Sequence, residues 1–143
     1  MATLINWDER YSVGFELIDE QHKQLVGMIN ELYSSFIEGK AQETASSILE
    51  KMIQYTDYHF TTEHKFFEKY NYPETEEHKK IHKSFVDKAI ELKEGVDSEK
   101  VTVSYDIMNF LRQWLLEHIL KEDKKFAKYF KQNNIKLNLK DIE

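Results

Sequence analysis

Apolar residues recur three and four positions apart along most of this chain, and the same register carries a small set of histidines and carboxylates. Such spacing predicts amphipathic helices that each bury one face. A polar side chain on that face is buried as well, which is costly unless the group finds a partner. The chain must therefore fold so that these groups meet: His22, His59, Glu63, His78, His82, His118 and Asp123.

Four long helices follow from the positions of glycine and proline, which number only four and one in the whole chain. In this interpretation Asp19 caps the first helix and Gly95 stops the third. We predict an all-α, antiparallel up-down-up-down four-helix bundle with an N-terminal arm and a short C-terminal helix. The predicted helices run from about Asp19 to Gly39, from Gln42 to Tyr70, from Glu74 to Glu94, and onwards from Thr102 or Ser104.

The spacing of His118 and Asp123 does not suit a regular helix. Five residues correspond to a rotation of about 140°, so the two side chains would point apart. We therefore predict a local widening or break around Leu120 to Glu122. A short last helix then carries Phe126, Tyr129 and Phe130.

Composition favours one domain, since 143 residues with 41% hydrophobic content suffice for a single core. We expect an arm over residues 1–18, a bundle over 19–131 and a tail over 132–143. The absence of cysteine excludes disulfides, zinc–thiolate sites and iron–sulfur clusters and fits a cytoplasmic location. A net charge of −6 argues against nucleic-acid binding, and the sequence predicts neither a signal peptide nor a membrane span.

Two pairs of the polar residues are four positions apart, His59 with Glu63 and His78 with His82, so each pair shares one helix face. An isolated pair of this kind is usually solvated, and a single buried histidine is usually an ordinary core residue. Seven such groups at one depth instead indicate a metal centre.

Imidazole and carboxylate ligands suit iron, and seven ligands exceed the four that zinc prefers. Two octahedral metals offer about twelve positions. Two bridging carboxylates fill about four of these, five histidines fill about five and a bridging oxygen fills about two. One position stays open, which suits a small diatomic molecule.

The order of these residues resembles that of the hemerythrins, the single-domain bacterial kind in particular. The resemblance covers nearly the whole chain, including the stretches from Trp7 to His22 and from Asn109 to His118. It implies two iron ions joined by an oxo or hydroxo group and by Glu63 and Asp123. One iron would be held by His78, His82 and His118, and the other by His22 and His59.

The resemblance also implies a monomer that binds dioxygen reversibly at the two-histidine iron, for carriage, storage or supply and without turnover. The alternatives are an enzyme that reduces peroxide, dioxygen or nitric oxide, a domain that senses oxygen or iron, and a protein of iron handling. His64 should miss the site, because it lies about 100° around the helix from Glu63. We expect the oxygen pocket to comprise Phe60, Trp114, Leu115 and Ile119. For Trp114 and Leu115 the alternative is ordinary core packing.

Overall fold

The helices of the computed structural model, which describes residues 3–100 and 102–142, confirm the all-α prediction. A π-helical segment, His118–Asp123, joins the fourth α-helix to the fifth, and single 3-10 turns lie at Glu9–Tyr11 and Leu139–Asp141. Within the described residues there is no strand, and no helix is both long and apolar enough to cross a membrane. The α-helices are α1 (Glu16–Ile37), α2 (Ala41–Lys69), α3 (Thr75–Asp97), α4 (Tyr105–Glu117) and α5 (Lys124–Gln132).

Four of these helices end in the same way, with a residue at positive φ in the second position after the helix. After α1 this residue is Gly39, and the N–H of Lys40 donates to the carbonyl of Ser35 at 2.8 Å. This pair of features defines a Schellman stop, which satisfies carbonyls that the helix end leaves free. The corresponding residues after α2, α3 and α5 are Asn71, Glu99 and Asn134.

Two predicted helix boundaries are wrong. The first helix begins at Glu16 rather than at Asp19, whose carboxylate instead accepts hydrogen bonds from the Val13 N–H at 2.8 Å and the Ser12 hydroxyl at 2.5 Å. Asp19 therefore anchors the arm instead of capping the helix. The third helix continues through Gly95 to Asp97, because the left-handed stop falls at Glu99.

The arm and the last helix close the bundle around a continuous apolar core. Helix α2 packs on both α1 and α3, while α1 also packs on α4. The arm lies over α1, where the side-chain oxygen of Asn30 accepts from the N–H groups of Leu4 and Ile5 at 2.9 Å each. Its 3-10 turn packs against the π segment, so the arm covers the part of the chain that ends in Asp123.

We expect Glu99→Gly to stabilise the fold by about 1 kcal/mol, because a left-handed backbone is costly for every residue except glycine. The change Glu94→Gly is the matched control, since it alters charge in the same way within the exposed interior of α3. We expect it to destabilise the fold by about 1 kcal/mol. Chemical denaturation measures both effects, and equal shifts of the same sign would contradict the assignment of the α3 stop.

Candidate metal centre

All seven residues that interrupt the apolar stripes converge at one level of the bundle. They come from α1, α2, α3 and the π-helical segment that follows α4, and each is between 0 and 4% exposed. Their ligand atoms form two overlapping groups, within each of which all atoms lie within 4.8 Å of one another. The larger group joins both carboxylates with His78, His82 and His118, and the smaller joins both carboxylates with His22 and His59.

Asp123 lies between the two groups of histidines. Its Oδ2 is 2.9 Å from the Nε2 of His22, whereas its Oδ1 is 3.1 Å from the Nε2 atoms of both His78 and His118. One carboxylate oxygen thus faces each group.

Glu63, which lies in α2, repeats this arrangement. Its Oε2 faces the Nε2 of His59 at 3.6 Å, and its Oε1 faces those of His82 at 3.2 Å and His78 at 3.7 Å. Both carboxylates are therefore placed to bridge two cations, one beside three histidines and one beside two.

The π-helical segment brings Asp123 into the centre. A π-helix pairs residues five apart, so His118 and Asp123 lie one turn apart on a common face. Asp123 is consequently fully buried, whereas Leu120 within the same segment is 45% exposed. The prediction of a widened helix followed by a short final helix is confirmed.

The donor set fits transition-metal cations such as iron. Neighbouring ligands in an octahedral shell with bonds of about 2.1 Å are about 3.0 Å apart, which is close to most of the separations above. Among the described residues, many of the buried atoms that could bind a metal have no hydrogen-bond partner. They include both carboxylate oxygens of Glu63 and of Asp123. Unpartnered buried carboxylates are costly, and a shared cation would satisfy them.

The two carboxyl groups have opposite electrostatic environments. Burial and then the charge of Asp123 raise the pKa of Glu63. Burial also acts to raise the pKa of Asp123, but the nearby His118, His22 and His78 outweigh it and hold that pKa well below the usual value. We attribute the difference to the shorter histidine contacts of Asp123.

Two histidines are held at their second ring nitrogen by residues outside the predicted set. The Nδ1 of His59 is 2.6 Å from the side-chain oxygen of Gln21, and the Nδ1 of His82 is 2.8 Å from the Nε2 of His64. His64 is in neither of the two groups of ligand atoms, and sequence reasoning did not predict that it reaches His82. Burial, followed by the charges of Lys79 and His78, lowers the pKa of His64 to about 4.

Only two of the four residues of the expected oxygen pocket, Trp114 and Leu115, line a common cavity. Phe60 stacks on His82 at a ring separation of 3.7 Å, and Trp114 lies almost parallel to His118 at 4.8 Å. The cavity that Trp114 and Leu115 line is small, with a volume of about 10 Å³. Phe60 and Ile119 are buried but do not line it. Its other lining residues, which sequence reasoning did not identify, are Leu25, Ile29, Met52, Thr56 and Phe85.

Comparison with known proteins agrees with this geometry. The profile of the Hemerythrin HHE cation binding domain matches residues 13–130, and the chain therefore belongs to the hemerythrin family. A hemerythrin-like protein of Naegleria gruberi is 34% identical over 130 residues, which cover 88% of this chain and 97% of that protein. A myohemerythrin of Theromyzon tessulatum is 32% identical over 120 residues, covering 84% of this chain and 88% of that protein.

Solved structures of the family share the fold. A crystal structure of wild-type hemerythrin superposes with a TM-score of 0.82 at 27% sequence identity, and the match covers 88% of this chain and 97% of that one. The four-helix bundle predicted from the sequence is the fold of these structures.

The π segment can be tested by changing its length. Deletion of the exposed Leu120 leaves His118 and Asp123 four apart, which also places them on one face of a regular helix. We expect that variant to keep its helical content and to take up as much ferrous iron as the natural sequence.

The matched control inserts one alanine after Leu120, which rotates Asp123 by about 100° away from His118. We expect this variant to lose bound iron, measured as iron per chain after anaerobic loading and gel filtration. Equal loading of the insertion variant and the natural sequence would contradict the role assigned to the π segment.

Proposed function

We propose that this protein binds dioxygen reversibly at two iron ions held by the seven converging residues. The observation that supports the proposal is the unequal division of the histidines around the two carboxylates that both groups share. With both carboxylates shared, three histidines complete more of one coordination shell than two histidines complete of the other. An exchangeable position is thus expected on the side of His22 and His59.

His78, His82 and His118 would hold one iron, and His22 and His59 would hold the other. Iron in such a centre supplies the electrons that make dioxygen binding possible and reversible. The protein contributes the arrangement of the ligands and a dry environment. Gln21 and the carboxylates hold His59 and His22 toward each other, with a ring separation of 4.8 Å.

The apolar cavity lies beside ligands of both histidine groups. Leu25 and Thr56 lie one helical turn from His22 and His59, respectively. Phe85 and Leu115, which also line it, lie one turn from His82 and His118. A space with an apolar lining disfavours water, which would limit the proton transfer that accompanies irreversible oxidation of the metal.

The lining also favours binding over turnover. None of the described residues that line the cavity carries a carboxyl or imidazole group. Cleavage of an oxygen–oxygen bond benefits from a positioned acid that donates a proton. A cavity without such a group suits a carrier, store or supplier of dioxygen.

The visible absorption spectrum of the anaerobically reduced, iron-loaded protein tests the proposal. We expect two irons per chain and a charge-transfer band that appears when dioxygen is admitted and disappears when it is removed. Immediate and irreversible conversion to the ferric form would contradict reversible binding and indicate an oxidase, a peroxidase or a sensor.

Replacing Trp114 by alanine tests the exclusion of water. Trp114 stacks between His118 and Phe85, with ring separations of 4.8 and 4.1 Å, and it lines the cavity. We expect Trp114→Ala to oxidise in air on the order of tenfold faster, which corresponds to a barrier lower by about 1.4 kcal/mol.

The control is Phe110→Ala, one turn earlier on α4, where the aromatic side chain is 37% exposed and does not line the cavity. Its oxidation rate should match that of the natural sequence. Equal rates for all three proteins would show that Trp114 serves packing alone.

A further inference from the structure

Helix α2 carries two interleaved pairs of residues with helical spacing. His59 and Glu63 form the first pair and belong to the proposed donor set. Phe60 and His64 follow each of them by one residue, a rotation of about 100°, and therefore share a neighbouring face. Both members of this second pair contact His82 of α3.

The contacts of His82 fix its ring from two sides. Phe60 covers one ring face at 3.7 Å with planes only 6° apart. The Nδ1 atom lies 2.8 Å from the Nε2 of His64, and these two ring planes are 20° apart. An N–H bond that lies in the plane of one ring can therefore point at the lone pair of the other. The Nε2 of His82 is left facing the other ligand atoms, at 2.9 Å from the Nε2 of His118 and 3.2 Å from the Oε1 of Glu63.

One hydrogen bond between two imidazoles needs one donor and one acceptor. A cation on the Nε2 of His82 requires the lone pair there, so the ring proton must lie on Nδ1. His64 then accepts that proton's hydrogen bond at its Nε2. The contact thus selects the form of His82 that can bind a metal.

The other buried histidines show that this support is not general. Among the described residues, the buried Nδ1 atoms of His22 and His118 have no hydrogen-bond partner. His59 is the counterpart of His82, because Gln21 accepts from its Nδ1. Each group of histidines therefore contains at least one ring whose Nδ1 atom is hydrogen-bonded to a neighbouring side chain.

We propose that His64 is a positioning residue for the three-histidine metal, which orients His82 and keeps its proton on Nδ1. This inference rests on the proposed function, since it takes His82 as an iron ligand. His64 itself is only half-buried, beside the Lys79–Glu68 ion pair at the edge between α2 and α3, so its replacement removes little core packing.

The test compares three variants loaded anaerobically with ferrous iron. His64→Leu removes the acceptor, His64→Gln supplies an amide oxygen in its place, and Lys65→Leu is a control at an exposed neighbouring position. Loss of a partner that orients a metal-bound histidine typically weakens metal binding about 10- to 100-fold. We expect His64→Leu to release one of its two irons to a chelator faster by that factor, and we expect the other two variants to retain both.

A second readout follows the proton itself. In protein labelled with ¹⁵N at histidine and loaded with zinc alone, we expect a slowly exchanging Nδ1–H signal from His82 that His64→Leu loses and His64→Gln keeps. The signal is assigned with a His82→Gln variant.

The outcomes separate this inference from the function on which it rests. If the natural sequence fails to hold two irons, the proposed function fails. If it holds two and His64→Leu releases them at the same rate with the His82 signal unchanged, only the role of His64 is overturned.

Discussion

The cost of burying seven polar side chains is the constraint on which the structure depends. Each of them is almost fully shielded from water, and several of their donor atoms have no hydrogen-bond partner among the described residues. Folding can tolerate such a set only if the groups share a partner that compensates their desolvation. A pair of cations would do so for both carboxylates at once, and metal binding would then contribute to the stability of the fold.

Helical periodicity supplies most of the geometry that this constraint requires. Pairs four apart bring His59 with Glu63, and His78 with His82, to one depth without any loop. The same periodicity, shifted by one residue, places Phe60 and His64 against His82. Only the approach of Asp123 needs an irregular backbone, and the π segment provides it beneath the arm.

Sequence reasoning could predict the fold, the convergence of the donor set and the widened helix, because each follows from spacing along one chain. It placed the start of α1 and the end of α3 wrongly, since Asp19 has a better partner in the arm and Glu99 adopts the left-handed conformation. It also missed Gln21 and His64. Their contacts depend on how neighbouring helices are rotated, and a polar residue next to a ligand in sequence was the only available signal.

Anomalous diffraction at the iron edge, from crystals of the iron-loaded protein, would test the central claim most directly. The account predicts two iron peaks per chain, one beside His78, His82 and His118 and one beside His22 and His59, with Glu63 and Asp123 each contacting both. A single peak, or two peaks of which either carboxylate touches only one, would contradict a bridged two-iron centre.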